Sequence, residues 1–324
     1  MNIEKTNWSA ENKPKVLGTG LIALDVVLNA EHNREPYFWA GGTCGNVLTI
    51  LSFLGWQSFP VARLNGDAAS QRVLKDFKFW NVALDFAATE PTAKTPVIIH
   101  TISRNRKGEA RHKFSFNCPH CGAWLPSYKP VLASKAKEIA TEATDHKVFF
   151  FDRASRSSIT LAQESAKNGA LVVFEPVSIS DPRLFQEALS VTHILKYSSE
   201  RFRETPLARF EGKSILLEIQ TLGEKGLQYR SWLPFAESKN WLSIESRKIT
   251  QIKDTAGAGD WCSAGIIDYV GRNGLSEFYE ISASELKSAL IFGENLGAWN
   301  CQFEGARGGM YQLEEEDFEL KLND

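Results

Sequence analysis

The stretch Asp254-Thr255-Ala256-Gly257-Ala258-Gly259-Asp260 separates a polar run, residues 248–253, from an apolar run, residues 261–270. Its central residues carry almost no side chain, so their backbone N–H groups can approach an anion closely. If a helix begins within it, unpaired N-terminal amides and the positive end of the helix dipole face the same anion. Asp260 then falls in the first turn, where a carboxylate beside a phosphate can take a proton from a hydroxyl. The alternative is a glycine-rich loop capped by Asp254 and Thr255.

The same stretch, written D-T-x-G-A-G-D, resembles the C-terminal signature of the ribokinase-like (PfkB-type) carbohydrate kinases. Two further segments resemble that family in the same order along the chain, Gly41-Gly42…Asn46 and Thr221–Gly226. The resemblance covers about residues 15–310. It implies an α/β fold with a mostly parallel central sheet, helices on both faces and a small β-sheet lid. It also implies ATP-dependent phosphorylation of a hydroxyl on a sugar or sugar-like small molecule.

Composition sets limits on the class of protein. The chain has 324 residues, a net charge of −2 and a pI of about 6.4, so no overall field favours nucleic acid or a membrane surface as partner. Its five cysteines, an odd number in a long chain, argue against a disulfide scaffold. The first residues are polar and the apolar stretch 16–30 is interrupted, so neither a signal peptide nor a membrane span is expected. We expect a cytoplasmic protein.

The domain organisation follows from the resemblance. We expect a solvated arm over residues 1–14, one kinase domain over 15–313 and an acidic tail over 314–324. The lid is expected from about residues 24–40 and 96–117, which contain β-prone segments. A homodimer through paired lids is left open.

Between residues 131 and 196, helical patterns alternate with short apolar runs, which is typical of parallel strands with helices on both faces. The predicted helices cover 131–143, 157–168 and 182–189, and the predicted strands cover 147–152, 170–175 and 193–196. In such sheets, ligands bind beyond the carboxyl ends of the strands. Arg153 and Glu175 fall at such ends.

The resemblance assigns contacts with the acceptor to residues in the first part of the chain, namely Asp25, Gly41, Gly42 and Asn46. For Asp25, a strand-end or turn aspartate is the alternative. Arg153 can bind an anionic or polyhydroxyl substrate through its planar guanidinium, or can form a surface ion pair.

The two adjacent glycines precede a predicted helix that runs through Leu54 with one buried face. Thr43 is predicted to cap this helix. Leu48 stands where the family has a small residue, so the match here is incomplete.

For phosphoryl transfer, the resemblance implies Asp260 as general base and an anion hole formed by the backbone amides of Ala256, Gly257, Ala258 and Gly259. It implies nucleotide contacts at Thr221, Gly223, Gly226 and Asn295. An ordinary hairpin turn is the alternative for residues 221–226, and plain packing is the alternative for Asn295.

The implied cofactors are ATP and Mg²⁺, with a monovalent cation left open. Glu175 lies where the family often has an Asp or Asn near the metal and phosphate. The segment Lys196–Arg201 departs from the family pattern K-x-N-x-x-E, because Ser198 replaces the Asn and Arg201 replaces the Glu. Glu200, one residue early, is therefore the candidate for ordering magnesium.

Cys118-Pro119-His120-Cys121 has the spacing of half a zinc site, in which a turn directs two thiolates at one metal. A complete site needs four ligands, and no second Cys-x-x-Cys exists in the chain. His100, His112, His120 or a second protomer would have to supply the others. Two reduced thiols in a turn are the favoured interpretation, and zinc is not expected.

The sequence leaves three other functions open. The first is a sugar- or nucleotide-binding regulator on the same fold with weak catalysis, which the altered Lys196–Arg201 segment favours slightly. The second is a nucleoside kinase, because related kinases use hexoses, pentoses, sugar acids and nucleosides. The third is a nicotinamide-dependent oxidoreductase based on Gly18–Ala23, which matches G-x-G-x-x-A but precedes a β-prone run.

Overall fold

The computed structural model describes residues 13–29, 35–105 and 110–312, so the predicted arm and acidic tail lie almost wholly outside the described residues. Within that range the strands are β1 (Lys15–Thr19), β2 (Ala23–Asn29), β3 (Tyr37–Gly41), β4 (Gln57–Leu64), β5 (Ala87–Thr89), β6 (Val97–Arg104), β7 (Ala110–Ser115), β8 (Val148–Phe151), β9 (Leu171–Phe174), β10 (Ile194–Ser198), β11 (Leu217–Thr221), β12 (Leu227–Ser231) and β13 (Ser238–Ile244). The helices are α1 (Thr43–Phe53), α2 (Ala68–Phe79), α3 (Ala133–Glu142), α4 (Arg156–Lys167), α5 (Pro182–Leu189), α6 (Ala258–Val270), α7 (Leu275–Tyr279), α8 (Ala283–Asn300) and α9 (Gly308–Gln312).

The large sheet has nine strands in the order β13-β12-β11-β10-β9-β8-β1-β4-β5. Its strands from β11 through β5 run parallel, and only β12 and β13 pair antiparallel at one edge. The predicted α/β fold with a mostly parallel sheet is confirmed.

Helices cover both faces of this sheet. Successive residues of each strand point to opposite faces, so apolar side chains on both faces are buried against helices. In β8, Val148 and Phe150 belong to one core, which is built with α1, α2, α6 and α8. Phe149 and Phe151 belong to the other core, which is built with α3, α4 and α5. All four side chains are fully buried, so the continuous apolar run of β8 reflects burial on both faces.

A second, four-stranded sheet has the order β3-β2-β6-β7 and arises from the segments in which the lid was expected. Strands β2 and β6 are parallel, and β3 and β7 flank them antiparallel. The segment Gly18–Ala23 leads from β1 directly into β2, not into a helix. The dinucleotide-binding interpretation of that segment is therefore wrong, because the helix that would face a pyrophosphate does not follow it.

The predicted cap of α1 at Thr43 is also wrong. Helix α1 begins at Thr43, and its N-cap is Gly42, which has φ +77° and provides no side-chain cap. A side chain at Gly42 would overlap the backbone carbonyl of Leu21. Close contact between two chain segments, and not a capping hydroxyl, therefore determines the residue at this helix start.

The Leu48 side chain of α1 fits between the helix and β1 because the facing residue of β1, Gly18, is a glycine. A Cβ added at Gly18 would lie 3.0 Å from Leu48 Cδ2 and 3.2 Å from the Phe150 carbonyl oxygen. The larger side chain on the helix is thus accommodated by the smallest one on the strand.

Hence Gly18→Ala should destabilise the protein by about 1–3 kcal/mol through overpacking, and Leu48→Ala by about 2–5 kcal/mol through a cavity. In the double variant the two changes relieve each other, so the free energy of unfolding should fall by less than the sum of the single losses. Urea unfolding of the four proteins measures this. Additivity within about 0.5 kcal/mol would show that the two residues do not interact.

Candidate active site

Helix α6 begins inside the glycine-rich stretch, as predicted. Its N-cap is Gly257, with φ +77° in the left-handed region, and no side chain caps the helix. A Cβ at Gly257 would overlap the backbone of Ala306, so this position requires glycine. The first-turn amides of α6, unblocked by any capping side chain, have the geometry of an anion site. The assignment of the amides of Ala256 to Gly259 as an anion hole stays a prediction.

Asp254 holds the loop that precedes α6. Its buried carboxylate accepts hydrogen bonds from the backbone N–H groups of Ala256 (3.0 Å) and Gly305 (2.9 Å). Burial favours the protonated form, but the hydrogen bond from His112, the nearby His100 and the two backbone N–H groups together outweigh it and hold the pKa of Asp254 below its usual range. The loop is therefore attached to a carboxylate that stays ionised.

Two histidines of the small sheet face this carboxylate. His100 Nε2 of β6 lies 3.3 Å from Asp254 Oδ2, and His112 Nδ1 of β7 lies 3.4 Å from Oδ1. Burial lowers the pKa of His100, whereas the hydrogen bond with Asp254 raises the pKa of His112. His112 Nδ1 also lies 3.0 Å from Thr255 Oγ1. The small sheet thus contacts the start of the glycine-rich stretch directly.

Asp260 lies in the first turn of α6, and its Oδ2 accepts a hydrogen bond from Asn46 Nδ2 of α1 at 2.7 Å. Burial and the neighbouring Glu175 carboxylate raise the pKa of Asp260 to about 7, against the opposing effects of Asn46, Lys196 and Arg201. A carboxylate with a pKa near neutrality is suited to take a proton and release it again.

Arg307, like the two histidines, is a residue of this site that the sequence did not reveal. It is only 1% exposed, and its Nε donates to Asn46 Oδ1 at 3.1 Å while its Nη2 donates to Asp76 Oδ2 of α2 at 2.7 Å. Because Arg307 occupies the amide oxygen of Asn46, the amide nitrogen is directed at Asp260. The only signal in the sequence is an arginine within a run of small residues, 305–309.

Glu175 lies beside Asp260 but is engaged by other groups. Its Oε1 accepts a hydrogen bond from Lys196 Nζ at 2.9 Å, and its Oε2 accepts one from Ser263 Oγ. Lys196 Nζ also donates to the Gly259 carbonyl at 3.1 Å. Burial alone would lower the pKa of Lys196, but the charge and hydrogen bond of Glu175, together with Cys262 and Asp260, outweigh it and raise that pKa. The Glu175–Lys196 pair therefore connects the large sheet to the glycine-rich stretch.

The predicted acceptor residues meet at the junction of the two sheets. Asp25 of β2 is buried against Gly41 of β3, where any Cβ would overlap the Asp25 carboxyl. Burial raises the pKa of Asp25 to about 7, and the charge of Arg307 and the Gly42 N–H oppose that shift. Asp25 Oδ1 is buried without a hydrogen-bond partner among the described residues. Such an atom fits a ligand hydroxyl that would donate to it.

Arg153 follows β8 and donates from Nη1 to Oδ2 and to the carbonyl of Asp152, both at 3.0 Å. Arg153 thus forms an ion pair, as in the alternative interpretation, but its partner Asp152 is buried and not at the surface. Its role in binding substrate stays a prediction.

The predicted nucleotide loop connects β11 to β12. Thr221 ends β11, Gly223 has φ +62° and Gly226 has φ +89°. A side chain at Gly226 would overlap the backbone of Ile244 on β13, so the turn needs glycine for packing. Asn295 is half-buried on α8. Helix α8 packs closely on the start of α6, and a Cβ added at Gly297 would lie only 2.7 Å from the Ala258 carbonyl oxygen. Contact with a nucleotide stays a prediction for Thr221, Gly223, Gly226 and Asn295.

Two carboxylates were proposed for magnesium. Each oxygen of Glu175 accepts one hydrogen bond, Oε1 from Lys196 and Oε2 from Ser263. Glu200 is exposed just beyond β10, and its charge acts on His112. A part in ordering magnesium stays a prediction for both Glu200 and Glu175.

The zinc interpretation of Cys118 and Cys121 gains no support. His100 and His112, two of the proposed further ligands, face Asp254 instead. Over residues 13–29, 35–105 and 110–312, no group of three or more His, Cys, Asp or Glu side chains is placed to hold a metal ion.

Comparison with known proteins agrees with this geometry. The model of the pfkB family carbohydrate kinases matches residues 13–312. This chain belongs to that family. Kinases of the family are phosphotransferases that act on sugars or nucleosides. No match to a curated protein sequence was found.

Solved structures of sugar and nucleoside kinases share the fold at low sequence identity. Aminoimidazole riboside kinase from Salmonella enterica, complexed with aminoimidazole riboside and an ATP analogue, is 18% identical with a TM-score of 0.68 over 96% of this chain and 100% of that one. Fructokinase from Xylella fastidiosa with bound ATP is 16% identical, with a TM-score of 0.69 over 95% and 97%. A Burkholderia thailandensis nucleoside kinase in complex with inosine is 14% identical, with a TM-score of 0.65 over 95% and 96%.

Among the helices of the described segments, none is both long and apolar enough to cross a membrane.

If Arg307 holds Asn46 and Asp76 together, Arg307→Met should lower the free energy of unfolding by about 3–5 kcal/mol, because it leaves the Asp76 carboxylate buried and unpaired. The double variant Arg307→Met/Asp76→Leu removes both charges and should recover part of that loss. Urea unfolding of the three proteins measures both effects. A single variant as stable as the native protein would contradict the proposed role of the pair.

Proposed function

We propose that this protein transfers the γ-phosphoryl group of ATP to a hydroxyl of a sugar-like or nucleoside acceptor, with Asp260 as general base. The observation that carries the proposal is the position of Asp260. It lies in the first turn of α6, it is hydrogen-bonded by Asn46, and its pKa is raised to about 7. The base and the amides that face an anion are thus supplied by one helix start.

The chemistry of transfer can be assigned to this chain's residues. Asp25, with its unpaired buried oxygen, accepts a hydrogen bond from one acceptor hydroxyl and so orients the acceptor. The oxygen of the attacking hydroxyl forms a bond to the γ-phosphorus, and Asp260 takes the proton of that hydroxyl. The bond between that phosphorus and the bridging oxygen of ADP breaks, and the negative charge on the transferring group faces the first amides of α6.

Magnesium would neutralise phosphate charge when bound with ATP, and Glu200 is the residue we propose to order it. We propose that the small sheet acts as a lid, and the contact of its histidines with the glycine-rich stretch at Asp254 supports this. A closed lid would exclude water, which otherwise competes with the acceptor hydroxyl for the phosphoryl group. The cytoplasmic location and a monovalent cation remain predictions.

The acceptor can be identified by a screen of sugars, sugar acids and nucleosides with coupled detection of ADP. ADP release that depends on one added acceptor is expected. A protein that binds ATP and an acceptor but releases no ADP with any of them would support the alternative, a binding regulator on the same fold. The altered Lys196–Arg201 segment is the feature that favours that alternative.

With an acceptor identified by this screen, Asp260→Asn should lower kcat by about 100- to 10,000-fold, because the base is lost while the shape of the side chain is kept. Asp268→Asn is the matched control. Asp268 lies two turns later in α6, where it accepts hydrogen bonds from Trp56 Nε1 (2.7 Å) and Arg272 Nη2 (2.5 Å). The Asp268→Asn control should lose stability but keep its turnover. Native-like turnover by Asp260→Asn would refute the role of Asp260.

The pH dependence of kcat/KM provides a second test of the base. Since Asp260 accepts a proton only when ionised, and its pKa is about 7, kcat/KM for the acceptor should fall as the pH decreases through about 7. Arg201→Gln should move this midpoint upward, because the charge of Arg201 lowers the pKa of Asp260.

The control for this measurement is Arg209→Gln, which removes an exposed arginine that pairs with Glu204 instead. It should leave the midpoint unchanged. A profile that stays flat down to pH 5 in the native enzyme would contradict a base with this pKa.

A further inference from the structure

The turn that contains Cys118 and Cys121 is a closed, regular structure that phosphoryl transfer does not require. The N–H of Cys118 donates to the Ala123 carbonyl at 2.8 Å, and the N–H of Gly122 donates to the Cys118 carbonyl at 2.9 Å. Asn117 Nδ2 also donates to the Gly122 carbonyl at 3.0 Å. These bonds hold two cysteines, three positions apart, in one turn directly after β7.

The turn favours a thiolate at Cys118. The backbone N–H groups of Cys121 and His120, followed by the Cys121 side chain, hold the pKa of the Cys118 thiol below its usual range. Residues 113–130 contain two lysines and no carboxylate, so no acidic side chain in this segment opposes the negative sulfur. Cys118 is partly exposed and Cys121 is exposed, so both can meet a reagent from solvent.

The other three cysteines of the chain have the opposite properties. Cys44, Cys262 and Cys301 are buried. Burial raises the pKa of all three thiols, to about 12 for Cys262 and Cys301. Thiol reactivity is therefore confined to the Cys118–Cys121 turn, and the buried cysteines serve as internal controls.

A metal is the rival occupant of the turn. A closed zinc site needs two ligands beyond the two cysteines. As described above, His100 and His112 face Asp254, and among the described residues, which include His120, no group of three or more His, Cys, Asp or Glu side chains is placed to hold a metal ion. A disulfide, in contrast, needs only the two sulfurs that the turn already holds together.

We propose that Cys118 and Cys121 form a reversible dithiol–disulfide exchange site for a low-molecular-weight disulfide of the glutathione class. The Cys118 thiolate attacks one sulfur of that disulfide, which breaks the sulfur–sulfur bond and releases one reduced thiol. The Cys121 thiol then loses its proton and attacks the sulfur of Cys118, which releases the second reduced thiol. The two cysteines are oxidised by two electrons, and one molecule of the small disulfide is reduced to two thiols.

The site lies on the small sheet, outside the phosphoryl-transfer residues. The N–H of Leu125 donates to the Phe116 carbonyl at 2.8 Å, and the N–H of Val97 at the start of β6 donates to the Pro126 carbonyl at 3.2 Å. The turn is thus attached to both β6 and β7. The chemistry proposed for it does not depend on the proposed kinase mechanism.

The test is equilibration of the full-length native protein in mixtures of reduced and oxidised glutathione, followed by acid quenching, alkylation of the remaining thiols and intact-mass measurement. The expected product is a protein that has lost two hydrogens and carries no glutathione, with the disulfide mapped to Cys118 and Cys121. Reduced glutathione should reverse it. Cys44, Cys262 and Cys301 should react with the alkylating reagent only after unfolding.

The single variants separate the two roles. Cys121→Ser should stop at a glutathione adduct on Cys118. At pH 7, Cys118 in that variant should be alkylated about three- to tenfold faster than Cys121 in Cys118→Ser, because it has the larger thiolate fraction.

Two results would overturn the proposal. One is a native protein in which both thiols stay reduced, or in which glutathione adducts accumulate without an internal disulfide. The other is purified protein that retains one zinc ion per chain against a chelator and resists oxidation until that ion is removed.

Discussion

The position of one short segment, Gly305–Arg307, constrains the candidate site more than any other contact. The N–H of Gly305 binds the Asp254 carboxylate, and the Ala306 carbonyl accepts hydrogen bonds from Asn300 Nδ2 and Trp261 Nε1, both at 3.1 Å. A Cβ at Gly257 would overlap the backbone of Ala306, so only glycine fits where these two segments meet. The start of α6 is therefore set by a segment almost fifty residues further along the chain.

Arg307 extends the same constraint to the acceptor side. Its guanidinium binds Asn46 of α1 and Asp76 of α2, and its Nη2 donates to the Ala40 carbonyl of β3. Three elements that come from the first quarter of the chain are thereby fixed relative to the C-terminal signature. A buried ion pair gives little net stability, since desolvation opposes attraction. Here its consequence is geometric, because it directs the Asn46 amide towards Asp260.

Much of this architecture could be predicted from the sequence because its signals are local. Strand alternation, apolar runs and the glycine-rich helix start depend on neighbouring residues, and the large sheet, the small sheet and α6 all occur where they were expected. The roles of His100, His112 and Arg307 could not be predicted, since each depends on a partner more than 140 positions away. The predicted cap at Thr43 was wrong because a tertiary contact, between Gly42 and Leu21, decides how α1 begins.

The departure of Lys196–Arg201 from the family pattern has an electrostatic meaning at this site. The Glu175 carboxylate lies close enough to Asp152 and Asp260 for its charge to raise the pKa of both, which makes their ionisation less favourable. Arg201, standing where the resemblance expects a glutamate, lowers the pKa of both Asp152 and Asp260. A glutamate there would add a further negative charge and raise those pKa values, whereas the arginine keeps a larger fraction of Asp260 ionised at neutral pH. The substitution thus weakens one way of ordering a metal, yet it favours the form of Asp260 that can accept a proton. On electrostatic grounds it is compatible with catalysis by this base.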